Sequence, residues 1–166
     1  MRSIAILTLL GIALSMAEAA DICLVRDGQP LATIVVPADA GEQLRSAVEV
    51  LAGCLQEASG ATVPIIDEPD LRAAPTDPLV LVGRTKLWPI RFPEGFDDDG
   101  FVIAAAGRAV AICGPGDWGT EFGVYDFLER YVGVRWLMPG ENGTDIPVAK
   151  TISIPAGRVE DQPIFF

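Results

Sequence analysis

Residues 79–82 read Leu-Val-Leu-Val, an apolar run with no polar alternation. A strand of that kind is buried on both faces, so the sheet that holds it needs cover on both sides. The rest of the chain supplies elements for such a sheet. Residues 22–26 read as a strand, Asp27-Gly28 as a hairpin turn and 31–36 as the β-branched partner strand, ended by Pro37. From 40 to 58, Leu44, Val48, Leu51 and Leu55 recur at three- and four-residue steps, and Val50 and Cys54 widen the stripe. Glu42, Gln43, Arg45, Glu49, Gln56 and Glu57 take the opposite side, which predicts an amphipathic helix stopped by Ser59-Gly60. Residues 63–66 form a short strand before an acidic, proline-rich loop at 67–78. The stretch 84–100 carries Pro89, Pro93, Gly95 and Asp97-Asp98-Asp99-Gly100 and reads as loop. Strands at 101–105 and 109–113 meet at Gly107. Gly114-Pro115-Gly116 turns the chain into a second helix from Asp117, its N-cap, to about residue 131, with Gly133 closing it. Strands at 134–137 and 151–154 follow. The order is strand-rich with two crossover helices, an α/β or α+β fold in three layers or two.

With 166 residues the chain fits one globular domain. Lys and Arg number 12 against 23 Asp and Glu, a net charge of −11 that repels nucleic acid. Histidine is absent, which removes Ser-His-Asp and Cys-His nucleophile systems and HExxH zinc sites. Residues 1–19 read as a signal peptide: Arg2 gives the positive start, 4–16 the apolar run, and Ala17-Glu18-Ala19 the cleavage site. That run is shorter than the roughly 20 residues a membrane span needs, so the expectation is an exported protein with no membrane span. Cys23, Cys54 and Cys113 are an odd number set among apolar neighbours, and they read as buried free thiols.

Four motifs invite chemistry, and three of them yield a plainer reading. Gly114-Pro115-Gly116-Asp117-Trp118-Gly119 matches G-x-G-x-x-G, with Glu141 at roughly the spacing of a ribose-binding acid. Asp117, however, puts a carboxylate where a pyrophosphate would sit. The glycines read instead as a tight strand-to-helix turn and as close packing of Gly119 and Gly123 on the sheet. No cofactor is expected. The run Asp97-Asp98-Asp99-Gly100 lacks calcium-loop spacing and reads as a solvated turn. Asn142-Gly143-Thr144 is a glycosylation sequon on an exposed turn. Glycoside hydrolysis needs two carboxyls roughly 5–10 Å apart across a cleft. Asp126 and Glu129 are three apart on one helix, but Arg130 stands four residues from Asp126, and the reading is a solvated, ion-paired face. No catalytic residue and no metal ligand is assigned.

The segment 118–136 is the most specific. Trp118, Phe122 and Tyr125 run down one side of the second helix, and Val124, Phe127 and Tyr131 run around another. One sheet can cover one of these stripes, so the other calls for a further partner. Gly119-Thr120-Glu121-Phe122-Gly123-Val124-Tyr125-Asp126-Phe127-Leu128-Glu129 and Gly133-Val134-Arg135-Trp136-Leu137-Met138-Pro139-Gly140-Glu141 carry a family resemblance. Residues 47–55, Ser59-Gly60, Val63-Pro64-Ile65, Leu81-Val82-Gly83-Arg84-Thr85 and Asp99-Gly100-Phe101-Val102-Ile103 agree with it in order. The chain resembles the N-terminal domain of glycosyl hydrolases, and is similar to the non-catalytic N-terminal domains of alpha-glucuronidases and beta-N-acetylhexosaminidases.

The resemblance implies an α+β domain, a mixed β-sheet with two main helices packed on it, preceding a catalytic (β/α)-barrel. It implies a domain over 20–157, with 158–166 a tail or the start of the barrel. The implied function is an exported, non-catalytic accessory domain of a carbohydrate-active protein, packing on that barrel. The alternative is a stand-alone carbohydrate- or protein-binding module, for which Trp88, Trp118 and Trp136 are the large platform candidates. Binding or interdomain candidates are Trp118, Tyr125, Glu129, Arg135, Trp136 and Glu141. On a strand, one of Arg135 and Trp136 should be buried and the other directed outward. Phe165 and Phe166 are expected to add to the surface that a barrel covers.

Overall fold

The computed structural model describes residues 20–71, 77–140 and 143–164. The segment 1–19 read as a signal peptide, Glu141, the sequon residue Asn142, and Phe165 and Phe166 lie outside these described residues. The main sheet has six strands: β3 (Thr33–Val36), β4 (Ile65–Asp67), β5 (Leu79–Val82), β6 (Phe101–Ala106), β7 (Ala109–Cys113) and β11 (Gly157–Asp161). Their spatial order is β11-β6-β7-β5-β3-β4. The half from β7 to β4 is parallel, with Ile34 opposite both Ile65 and Val80, and Val80 opposite Val110. The half from β7 to β11 is antiparallel, with Ile103 opposite both Ile112 and Val159. A three-stranded antiparallel sheet pairs β1 (Ile22–Arg26) with β2 (Gln29–Pro30) and β10 (Ile152–Ile154). A small ribbon joins β8 (Arg135–Trp136) to β9 (Thr144–Asp145).

Helix α1 (Glu42–Ser59) forms where the apolar stripe requires it, and it buries Leu44, Ala47, Val48, Leu51, Cys54 and Leu55. Gly60 ends it in the left-handed conformation, φ +83°, with its N–H on the Gln56 carbonyl. The buried Ser59 hydroxyl donates to the Leu55 carbonyl at 2.6 Å and accepts the Ala61 N–H at 3.1 Å. Helix α2 (Asp117–Phe127) continues as one π-helical turn, Leu128–Val132, closed by Gly133 at φ +90°. Both helices pack on the sheet face that presents Ile34, Val36, Val80, Val82, Ile103 and Ile112. On the opposite face Val35, Leu79, Leu81 and Ala111 lie under Leu71, Trp88 and Ile90. The Leu-Val-Leu-Val run is therefore buried on both faces, by helices on one and by loop on the other. This is an α+β arrangement with one helical layer.

Four expectations need correction. Residues 31–36 do not pair with β1 as a hairpin strand. Pro30 and Gln29 make that pairing, and both Leu31 and Ala32 then donate to the single Leu24 carbonyl, at 2.9 and 3.1 Å. The chain leaves there for the main sheet, where Ile34, Val35 and Val36 are buried on all sides. Asp117 is not the N-cap; Gly116 is, and Asp117 is the first helical residue with no capping bond. The strand at 134–137 shrinks to Arg135–Trp136. Residues 158–161 are not a tail: they belong to β11, whose Val159 packs on the core.

Candidate functional site

The second helix is built to sit close on the sheet and to leave its far side bare. A Cβ on Gly119 would stand 2.2 Å from the Gly100 carbonyl oxygen, and one on Gly123 3.0 Å from Ile112 and Phe101. Gly114 would meet the Gly119 backbone at 2.5 Å, so the first and last glycines of G-x-G-x-x-G serve close backbone approach, while Gly116 is the helix N-cap. Thr120 locks the turn, its hydroxyl accepting the Gly114 N–H at 2.9 Å and donating to the Gly116 carbonyl at 3.0 Å. Val124 and Phe127 are fully buried beneath the helix.

The outer side carries the aromatic residues. Trp118 is 58% exposed and Phe122 41%, with ring centroids 6.2 Å apart. Tyr125 lies at the next position along this face. Its ring meets that of Trp136 edge-on, with centroids 5.0 Å apart and planes at 86°. Burial first, then the neighbouring Glu121 carboxylate, push the Tyr125 hydroxyl above its ordinary range. Glu121 also takes a hydrogen bond from the Gln43 amide, which ties α2 to α1.

The expectation for β8 fails, because Arg135 and Trp136 are both exposed. The ribbon stands off the body of the domain, so neither of its faces meets the core. Trp136 leans on Tyr125 instead, and Leu137 and Met138 beyond it are more than half exposed. Arg135 donates from Nη1 to the carbonyls of Glu129, at 3.1 Å, and Val134, at 2.9 Å, closing the end of the π-helical turn. Tyr125 and Trp136 are thus brought together, and Arg135 meets the main chain of Glu129. Glu129 itself is exposed. Asp126 is held by Arg130 in a two-bond pair, 2.9 and 3.0 Å, so Asp126 and Glu129 are not a free carboxyl pair. Among the described residues no group of three or more His, Cys, Asp or Glu could hold a metal, and no helix is long and apolar enough to cross a membrane.

Leu137 and Met138 belong to this surface, although sequence reasoning did not single them out as candidates. Their place in a short ribbon after a helix stop was the available signal. Arg84 and Thr85 stand at the end of β5, apart from the aromatic face.

No protein-family model and no curated protein matches the chain. Solved structures share its fold. The family GH115 4-O-methyl-alpha-glucuronidase BtGH115A, described as specific for decorated arabinogalactans, superposes with a TM-score of 0.55 at 19% identity. The match covers 86% of this chain and 18% of that one. The GH20 beta-N-acetylhexosaminidase from Streptomyces coelicolor A3(2) gives a TM-score of 0.54 at 19% identity, covering 87% of this chain and 24% of that one. The chain therefore has a fold found in glycoside hydrolases, and it spans about a fifth of the length of these two enzymes.

Proposed function

We propose that this chain is the exported, non-catalytic N-terminal domain of a larger glycoside hydrolase-like protein, and that it packs on a catalytic (β/α)-barrel. The observation that carries this reading is the outer face of α2. Trp118, Phe122 and Trp136, with Leu137 and Met138, leave in water a surface of the kind that marks an interaction site. A barrel beside the domain would cover that surface and supply the two carboxyls that hydrolysis requires. The likeness to parts of two glycoside hydrolases supports the carbohydrate-active half of the reading, and residues 1–19 support export. The exposed aromatics also suit a stand-alone sugar- or protein-binding module, the second reading.

The size of the native protein separates the two. Antibody raised against this chain should detect a product outside the cytoplasm, heavier than 17.6 kDa by a barrel of about 250 residues. A native product no larger than this chain would favour the stand-alone module. The chain by itself should hydrolyse no aryl glycoside; turnover abolished by Glu129→Gln would overturn the non-catalytic assignment.

A further inference from the structure

Strand β11 closes one side of the main sheet and leaves its own outer edge open. It pairs with β6 alone, without interruption from Gly157 opposite Ala105 to Asp161 opposite Phe101. Among the described residues no other backbone group bonds to residues 157–161, and a Cβ on Gly157 would touch nothing. The edge therefore offers free N–H and C=O groups, a template for one more strand. Proline, lysine and a bulge, which commonly blunt such an edge, are absent from β11. The charges it does carry are of opposite sign, and their order decides what can pair with it.

Arg158 and Glu160 share one face of β11, and Val159 between them points to the other. Both charged residues are exposed and pair with each other. Arg158 also donates from Nη2 to the Arg91 carbonyl at 2.9 Å, which places it on the face that carries the 84–100 loop. On the helix-bearing face Val159 stands opposite Ile103, and Ile103 opposite Ile112. That β-branched row runs to the edge and stops there with Val159 half-buried. The sequence Arg-Val-Glu is complementary in charge to its own reversal. An antiparallel copy centred on Val159 sets each Arg158 opposite a Glu160, whereas a parallel copy in register would set like charge against like.

We propose that β11 is the surface through which two copies of this chain pair, antiparallel and two-fold about Val159. The two edges supply main-chain hydrogen bonds and join the sheets into one. The two Val159 side chains meet at the axis on one face, and two Arg–Glu pairs flank it on the other. Five residues a side make a small interface, so the pair is weak and reversible. The outer face of α2 takes no part, and the inference does not rest on the barrel reading.

The test is sedimentation of the chain from micromolar to millimolar concentration, with two charge variants alone and mixed. Arg158→Glu sets carboxylates opposite carboxylates, and Glu160→Arg sets cations opposite cations. Each variant alone should dimerise with a dissociation constant raised about tenfold or more. Mixed in equal amounts, the two meet with opposite charges throughout, and the heterodimer should form at least as readily as the parent dimer. Both variants lose the pair within the chain, so a merely structural effect of that loss would persist in the mixture. Hydrogen exchange at residues 157–161 should slow as the parent associates. Association through the aromatic face of α2 would be alike in every sample and would leave exchange at 157–161 unchanged. A parent monomeric at millimolar concentration, single variants that associate as the parent does, or a mixture no tighter than its components overturns the proposal.

Discussion

The two helices lie on one face of one sheet, yet they meet solvent in opposite ways. Helix α1 buries Leu44, Val48, Leu51 and Leu55 and turns Arg45, Glu49, Gln56 and Glu57 to water. Helix α2 buries Val124 and Phe127 and turns Trp118 and Phe122 to water. Their glycines differ in the same sense. Gly53 of α1 is exposed and a Cβ there would touch nothing, whereas Gly119 and Gly123 of α2 stand against backbone and core. Burial in α1 is complete within this chain. In α2 the inner face is set more tightly than ordinary side chains allow, and the outer face offers aromatic surface. On the function proposed above, that outer face is the one a barrel covers.

Substitutions can break this comparison, beginning with the tightest contact. Gly119→Ala should destabilise the domain by about 3 kcal/mol, because its Cβ meets a carbonyl oxygen fixed in the turn before β6. Urea denaturation measures it, and an unchanged midpoint would mean that α2 can move off the sheet at little cost.

The buried thiols give the next effect. Cys113 ends β7 on the sheet face that carries the 84–90 loop, and burial raises its thiol from 9.0 to about 11, with Arg84 pulling the other way. An acid raised on folding contributes full stability below its unfolded value and loses it as pH climbs through the folded one. Stability should therefore fall between about pH 9 and 11, by about 2–3 kcal/mol from this group. Cys54 on α1 is shifted the same way, by burial first and Glu57 second. Comparing Cys113→Ala and Cys54→Ala with the parent across that range isolates each thiol, and Cys113→Ala should flatten the profile more.

The smallest changes sharpen the solvent-side contrast. Gly53→Ala should stabilise by up to about 1 kcal/mol, since it adds helix propensity and meets no neighbour. Changing Trp118 and Phe122 together to Ser should move stability little, by about 0.5 kcal/mol per site. It should nevertheless lower the association of the isolated chain, read by sedimentation across a concentration series. A parent chain that stays monomeric throughout would mean that the aromatic face is too small to drive contact.

Much of the framework was legible because its signals are local. The three- and four-residue steps from Leu44 to Leu55 marked α1, Gly107 marked the turn between β6 and β7, and Leu79 to Val82 marked a strand without an exposed face. The segment 31–36 misled because a hairpin turn at Asp27-Gly28 specifies only the residues next to it. Pro30 ends the pairing, and no short-range pattern states that Thr33 will lie beside Leu79. Strand β11 was missed because Gly-Arg-Val-Glu-Asp has one apolar residue and pairs along a single edge, with β6. At the candidate site, the sequence showed a helix with more aromatic surface than one sheet can cover. It did not show that Trp136 would leave the core to lean on Tyr125.

The sequence by itself determined both helices and most strands of the main sheet, because periodicity and glycine stops act over a few residues. It also determined that this chain itself supplies no histidine. Only the tertiary structure decided which strands are neighbours and which stripe of α2 faces the sheet. It also set β11 at an outer edge of the main sheet. Those outcomes depend on contacts between residues tens of positions apart, whose energies exist only once the backbone has closed around them.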